Sequence, residues 1–298
     1  MPTDPLLAWF DAHARVLPWR SPDRTPWGVL VSEVMLQQTP VARVEPAWRA
    51  WMAHWPTPAD LASAPRADAL RTWGRLGYPR RALWLHECAV AIVARHGGQV
   101  PDDEAALRAL PGVGAYTAAA VRAFAFGHRA MVLDTNVRRV LTRLYAGAAL
   151  PAPTQTARDV ALVERLMPPD DATAARWALA TMELGALVCT ARTPSCQECP
   201  LASSCAWLAA WKPPDEHASR RRAQPWVGTD RQVRGRVMAL LREGIGPIPA
   251  GLVAAAWPDS RQLTRCVAAL AADGLLVPLA ASGDQAGPDD EPVAYRLP

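Results

Sequence analysis

Four of the six cysteines, Cys189, Cys196, Cys199 and Cys205, fall within 17 residues at the spacing C-x6-C-x2-C-x5-C. Thiols packed this densely read as a metal site, and the segment carrying them must close around whatever they ligate. Four thiolates suit either tetrahedral zinc or a [4Fe-4S] cluster. Structural zinc usually shows two short Cys-x-x-Cys knuckles far apart, whereas here one knuckle sits between two wider intervals. Ligating thiols must stay reduced, so the expected location is inside the cell, in the cytoplasm. In agreement, no apolar run approaches the ~20 residues a membrane span needs. Residues 1–11 also lack a basic segment followed by an apolar one. Cys88 and Cys266 lie in apolar helical sequence and read as buried hydrophobes.

Half of the 298 residues are apolar, enough for one or two domains with substantial cores. A net charge of +4 suits a polyanionic partner but would equally suit many unrelated enzymes. Nearly all the positive charge is arginine: Lys212 is the one lysine. Helix signals dominate, and the chain reads as all-α. Thr39-Pro40 and Thr57-Pro58 look like caps opening helices at Val41 and Ala59. Gly97-Gly98 stops an apolar helix containing Leu83 to Val93, and further helices are expected over 103–109, 115–126, 136–145, 156–167 and 173–188. Residues 212–229, with two adjacent prolines and Arg220-Arg221-Arg222, read as a solvated linker. Beyond it, helices over 231–243, 249–256 and 260–273 precede two short strands at 275–279 and 293–297, the pattern of a small winged-helix-like module over 230–298.

Leu110-Pro111-Gly112-Val113-Gly114-Ala115-Tyr116-Thr117 lies between helical stretches. Two glycines so spaced permit a tight hairpin whose backbone amides, with the next helix N-terminus, can hold a DNA phosphate. The same residues would also make an ordinary turn. Asp134, in Leu133-Asp134-Thr135-Asn136, would sit at a helix start, where amides and the helix dipole keep it ionised. There it could stabilise a cationic sugar or act as a cap only. Glu33 lies in Leu30-Val31-Ser32-Glu33-Val34-Met35-Leu36, too apolar a helix to solvate a carboxylate well. Burial raises a carboxyl pKa, as a general acid near neutral pH requires. A structural glutamate paired with a buried arginine would look the same.

The continuation Gln37-Gln38-Thr39 makes Ser32 to Thr39 resemble the signature of MutY-type adenine DNA glycosylases of the helix-hairpin-helix, or endonuclease III, superfamily. Leu17-Pro18-Trp19, Gly77-Tyr78, the hairpin, the aspartate segment, Met182-Glu183-Leu184-Gly185-Ala186 and the cysteines follow in that family's order over roughly residues 9–208. The resemblance implies a two-lobed fold over 1–211. One lobe would be a six-helix barrel of about residues 25–132. The other would hold the N-terminal helix and about 133–211, with a [4Fe-4S] cluster on Cys189, Cys196, Cys199 and Cys205 that stiffens a DNA-contacting loop. It implies a monomer acting on double-stranded DNA at the nucleoid. Adenine mispaired with 8-oxoguanine or guanine would be flipped into a pocket and removed in base excision repair. Glu33 would protonate the base and Asp134 stabilise the sugar cation, with Tyr116 and Asn136 orienting the carboxylates and water. Gln37, Gln38, Thr39, Leu76 and Tyr78 would meet the DNA around the vacated stack and the opposing base, and Gly112, Val113 and Gly114 a phosphate. Strand-cleaving relatives carry a lysine where this chain has Tyr116, which implies base removal without efficient strand cleavage. A thymine glycosylase acting on G:T mismatches on the same fold, or a non-catalytic iron-sulfur DNA-binding protein, are the competing readings. Many family members end in a Nudix-like β-rich domain that senses 8-oxoguanine. Residues 212–298 are too short and too helical for one, which leaves the 8-oxoguanine preference open.

Overall fold

The computed structural model describes residues 3–220, 226–287 and 290–298. Along the chain run α1 (Thr3–His13), α2 (Pro26–Leu36), α3 (Val41–His54), α4 (Pro58–Ser63), α5 (Arg66–Trp73), α6 (Arg80–His96), α7 (Glu104–Arg108) and α8 (Ala115–Phe126). They are followed by α9 (Thr135–Leu141), α10 (Ala157–Leu166), α11 (Asp171–Leu187), α12 (Ala206–Ala209), α13 (Asp230–Glu243), α14 (Ala250–Ala254) and α15 (Ser260–Ala272). Three short strands, β1 (Ile248–Pro249), β2 (Val277–Leu279) and β3 (Ala294–Arg296), complete the described elements.

Local chemistry sets the helix boundaries. Thr57 with Asp60, and Thr156 with Asp159, form reciprocal capping boxes that open α4 and α10. Left-handed Gly97 and Gly127 end α6 and α8. Two expectations change. Pro40, not Thr39, stands at the N-cap of α3 and no side chain caps it, because the Thr39 hydroxyl is turned to the carbonyls of Gln37 and Leu76. The helix expected over 136–145 is α9 only as far as Leu141 and then widens into a π-turn over Thr142–Ala146, ended by left-handed Gly147.

The described residues form two compact units, one drawn from Met1–Glu33, Val100–Ala109 and Val113–Ala223, the other from Val34–Gln99, Leu110–Gly112 and Gln224–Pro298. Leu6, Val137, Leu141, Val163, Trp177 and Leu184 centre the first core. In the second, Trp51 packs edge-on against Trp55 and Trp73, beside buried Leu61, Leu70, Leu85 and Ile92. Tryptophan is thus largely core material here, as is buried Cys88.

Within the second unit, α13, α14 and α15 accompany an antiparallel sheet of order β1-β3-β2, with Ile248 opposite Tyr295 and Val277 opposite Arg296. The sheet has three strands where the sequence pattern shows two, since β1 is a two-residue strand containing a proline and carries no alternation to read. Arg221 and Arg222, read as part of a solvated linker, lie outside the described residues. Among the described residues no helix is long and apolar enough to cross a membrane.

Candidate active site and cluster loop

Glu33 sits in the middle of α2 with only 6 % of its surface exposed. Burial pushes its carboxyl pKa up to about 7; the hydrogen bond from Tyr116 opposes this, Asp134 adds to it, and Arg20 opposes it weakly. The Tyr116 hydroxyl donates to Glu33 Oε2 at 3.2 Å. Burial and the neighbouring Glu33 and Asp134 carboxylates hold the phenol well above its ordinary value, so it remains a donor. A group that holds its proton near neutral pH is thereby placed in apolar surroundings.

Asp134 is the N-cap of α9, accepting from the backbone N–H of Val137 at 2.7 Å and from the Asn136 side-chain amide at 2.7 Å. The amides do not depress its pKa as the sequence reading expected: burial raises it, outweighing Val137, Asn136 and Arg139. Asn136 is fixed in turn, its Oδ1 accepting from Arg139 Nη2 at 2.7 Å. Arg139 also donates to the carbonyls of Gly185 at 2.6 Å and Cys189 at 2.7 Å. At Gly185 an added Cβ would lie 2.7 Å from Asn136 Cβ, which accounts for glycine in the Met182–Ala186 segment.

Sequence reasoning assigned no role to Glu183, Arg15 or Arg20. Glu183 has no exposed surface, and its carboxylate accepts from Arg15 Nε at 2.7 Å, Arg15 Nη2 at 2.8 Å and Arg20 Nη2 at 2.9 Å. Burial alone would raise this carboxyl, yet the two arginines hold it at about 2. The signal was present, because Glu183 interrupts apolar α11 as Glu33 interrupts α2. What the sequence did not show was which of the two has the cations.

Gln37, Thr39 and Tyr78 meet Arg81 in the second compact unit, which also holds Gln38 and Leu76. The buried guanidinium donates to the carbonyls of Val34 (2.9 Å), Gln37 (2.5 Å) and Gly77 (3.2 Å) and to Thr39 Oγ1 (3.3 Å). It also lies 5.2 Å from the Tyr78 ring centroid. Burial lowers its pKa to about 10. Gln38 and Tyr78 are both left-handed, with φ of 56° and 48°, a conformation L-residues adopt only where their surroundings impose it. Gln38 is exposed and Tyr78 half-exposed, whereas Leu76 is buried. Of the hairpin glycines, Gly112 is left-handed (φ 74°) and a Cβ there would lie 2.8 Å from Trp84 Cβ. Gly114 is extended with open space around it, and Val113 is buried.

Cys189, Cys196, Cys199 and Cys205 line one pocket with Val188, Pro194, Ala202, Trp207 and Leu208. Arg143 forms its polar wall, donating to Cys189 Sγ at 3.2 Å and stacking 4.5 Å from the Trp207 ring. Among the described residues no three His, Cys, Asp or Glu side chains are grouped as one metal ion would require. The four thiols line one space, and this donor set with its apolar wall fits a polynuclear cluster.

Residues 31–165 match the HhH-GPD superfamily of base excision DNA repair proteins, and residues 189–205 match the iron-sulfur binding domain of endonuclease III. Over 91 % of its length the chain is 51 % identical to an adenine DNA glycosylase of Mycolicibacterium smegmatis, covering 91 % of that protein. Among solved structures it resembles a thermostable thymine-DNA glycosylase at 28 % identity and a TM-score of 0.63, covering 70 % of this chain and 95 % of that one. It also resembles a trapped endonuclease III-DNA covalent intermediate at 25 % identity and a TM-score of 0.60, covering 71 % and 95 %.

A carboxyl held at about 7 against an ordinary 4.5 makes folding favour its protonated form. Its contribution to stability is therefore complete below about pH 4.5 and is lost as pH rises through 7. Glu33→Gln, which cannot ionise, is expected to raise the melting temperature more at pH 8.5 than at pH 5 in paired thermal denaturations. An equal shift at both pH values would contradict the buried-acid assignment.

Proposed function

The chain belongs to the adenine DNA glycosylases, and from that premise we propose that it removes adenine mispaired with guanine or 8-oxoguanine and leaves the DNA strand uncut. It is an N-glycosyl hydrolase of base excision repair with a [4Fe-4S] cofactor. The observation that carries the mechanism is Glu33, buried, hydrogen-bonded to Tyr116 and holding its proton up to about pH 7.

The target adenine is taken out of the stack. Glu33 donates its proton to N7 of the base, the N9–C1′ bond breaks, and its electron pair leaves with the adenine. Asp134, oriented by Asn136 and the Val137 amide, stabilises the oxocarbenium-like sugar by its charge. Water adds to C1′ and gives up a proton, so an abasic site and free adenine result. Strand cleavage through a Schiff base would need an amine, and the one lysine, Lys212, lies beside Trp207, not at the Tyr116 position. Gln38 and Tyr78, exposed on their left-handed turns, meet the opposing base and the vacated stack, with Gln37, Thr39 and Leu76 supporting them. Gly112, Val113 and Gly114 present backbone amides to a phosphate. Cys189, Cys196, Cys199 and Cys205 hold the cluster, which stiffens the loop after α11. The enzyme works as a monomer on nucleoid DNA.

Three measurements test this reading. In single-turnover assays, adenine opposite guanine or 8-oxoguanine is expected to be released, while thymine opposite guanine is not, and the strand should break only after alkali. Thymine release or spontaneous nicking would overturn the specificity. Glu33→Gln and Asp134→Asn should each slow release by about a hundredfold or more, and the wild-type rate should fall as pH climbs through about 7, where Glu33 loses its proton. A rate that increases over that range would remove Glu33 as the acid. Finally, Cys199→Ser should lose the brown colour and about four irons per chain that the wild type carries; full iron retention would take Cys199 out of the ligand set.

A further inference from the structure

The turn carrying Leu76 and Tyr78 is flanked by two arginines whose partners both belong to the C-terminal module. Arg75 pairs with Glu243 at the end of α13 at 3.5 Å, and Arg80 pairs with Asp273, just beyond α15, at 3.0 Å. Asp273 is also held by Arg234 from α13, which fixes the acid that Arg80 meets. Beneath these pairs α13 packs against α5, the helix that leads into the turn.

The turn needs support. Gly74, Gly77 and Tyr78 are all left-handed, so no regular ladder of backbone hydrogen bonds spans it. Its inner side is fastened by Trp73 Nε1 and Arg81, both donating to the Gly77 carbonyl. Its outer side carries Arg75 and Arg80. Of the module's seven arginines, Arg234 and Arg265 are committed to Asp273 and Asp230, and its eight acids outnumber its arginines. The connection between β2 and β3, which would be the wing, carries Asp284, Asp290 and Glu291, charges that repel phosphates.

We propose that the C-terminal module is an intramolecular brace that positions the Tyr78 turn for contact with DNA, acting through Glu243 and Asp273 and not as a DNA reader. This rests on the reading of Tyr78 as a DNA probe. Because Glu243 and Asp273 are acids on a protein that binds a polyanion, simple electrostatics demands that neutralising them strengthen DNA binding. A brace demands the reverse.

The test uses the full-length, cluster-loaded chain and a duplex with a non-cleavable adenine analogue opposite 8-oxoguanine. The double variant Glu243→Gln, Asp273→Asn is expected to bind about two- to fivefold more weakly, the range for partly exposed ion pairs. The rate of base release at saturating enzyme should be unchanged. Exchanging the charges of the first pair, Arg75→Glu with Glu243→Arg, should bind more tightly than Arg75→Glu alone, whereas a direct Arg75–phosphate contact would leave the swap as weak as the single variant. Tyr78→Ala, measured alongside, should weaken binding at least as much as the double variant. If Tyr78→Ala binds as the wild type does, the probe reading itself is wrong. If Tyr78→Ala is weakened while the double variant binds as well as or better than the wild type, the probe stands and the brace is overturned.

Discussion

Three segments of the first compact unit meet on one buried guanidinium. Arg139 donates to Asn136 beside Asp134, to the carbonyl of Gly185 in α11, and to the carbonyl of Cys189 where the cysteine loop begins. A buried cation cannot leave such acceptors unmade without a cost of a few kcal/mol, so the positions of Asp134's amide donor and of the first cysteine are set by the same side chain. Gly185 completes the joint by letting α11 approach Asn136 more closely than any residue with a Cβ would. The spacing of the Asp134 cap, α11 and the first cysteine is therefore set at one joint.

Glu33 and Glu183 show how little a residue's type says about its charge. Both are buried in apolar helices, and both would be neutral if burial alone acted. Two arginines keep Glu183 ionised, with its carboxyl at about 2, whereas Glu33 has a phenol as its hydrogen-bond partner and only weak help from Arg20, and stays at about 7. The Asp134 carboxyl is raised above its ordinary value by burial. Its amide donors favour the anion but do not overcome its burial, so cap geometry alone is an incomplete guide to ionisation.

Much of this was legible in the sequence. The helix expected over 115–126 is α8 to the residue, because glycines mark both its ends, and the four cysteines do gather at one pocket. The misreadings share a cause. Thr39 looks like a cap because threonine before proline usually is one, yet its hydroxyl is drawn to Leu76, 37 residues away. The strand β1 is invisible in the sequence because only its pairing with β3 makes it a strand. The Arg15 and Arg20 contacts with Glu183 span 168 and 163 residues. Local pattern carries no information about contacts of that range.

The left-handed backbones of Gln38 and Tyr78 cost roughly 1 to 2 kcal/mol each relative to ordinary backbone, and that cost is met when the protein folds. Arg81 donates to the carbonyls of Gln37 and Gly77 just before them, so both residues are ordered in the folded chain before any partner is met. A surface preformed in this way can meet a partner without a folding step at every encounter. On the proposed reading of Gln38 and Tyr78 as the residues that meet DNA, selectivity then resides in how long the protein stays at a site, through its departure rate, and not in how fast it arrives.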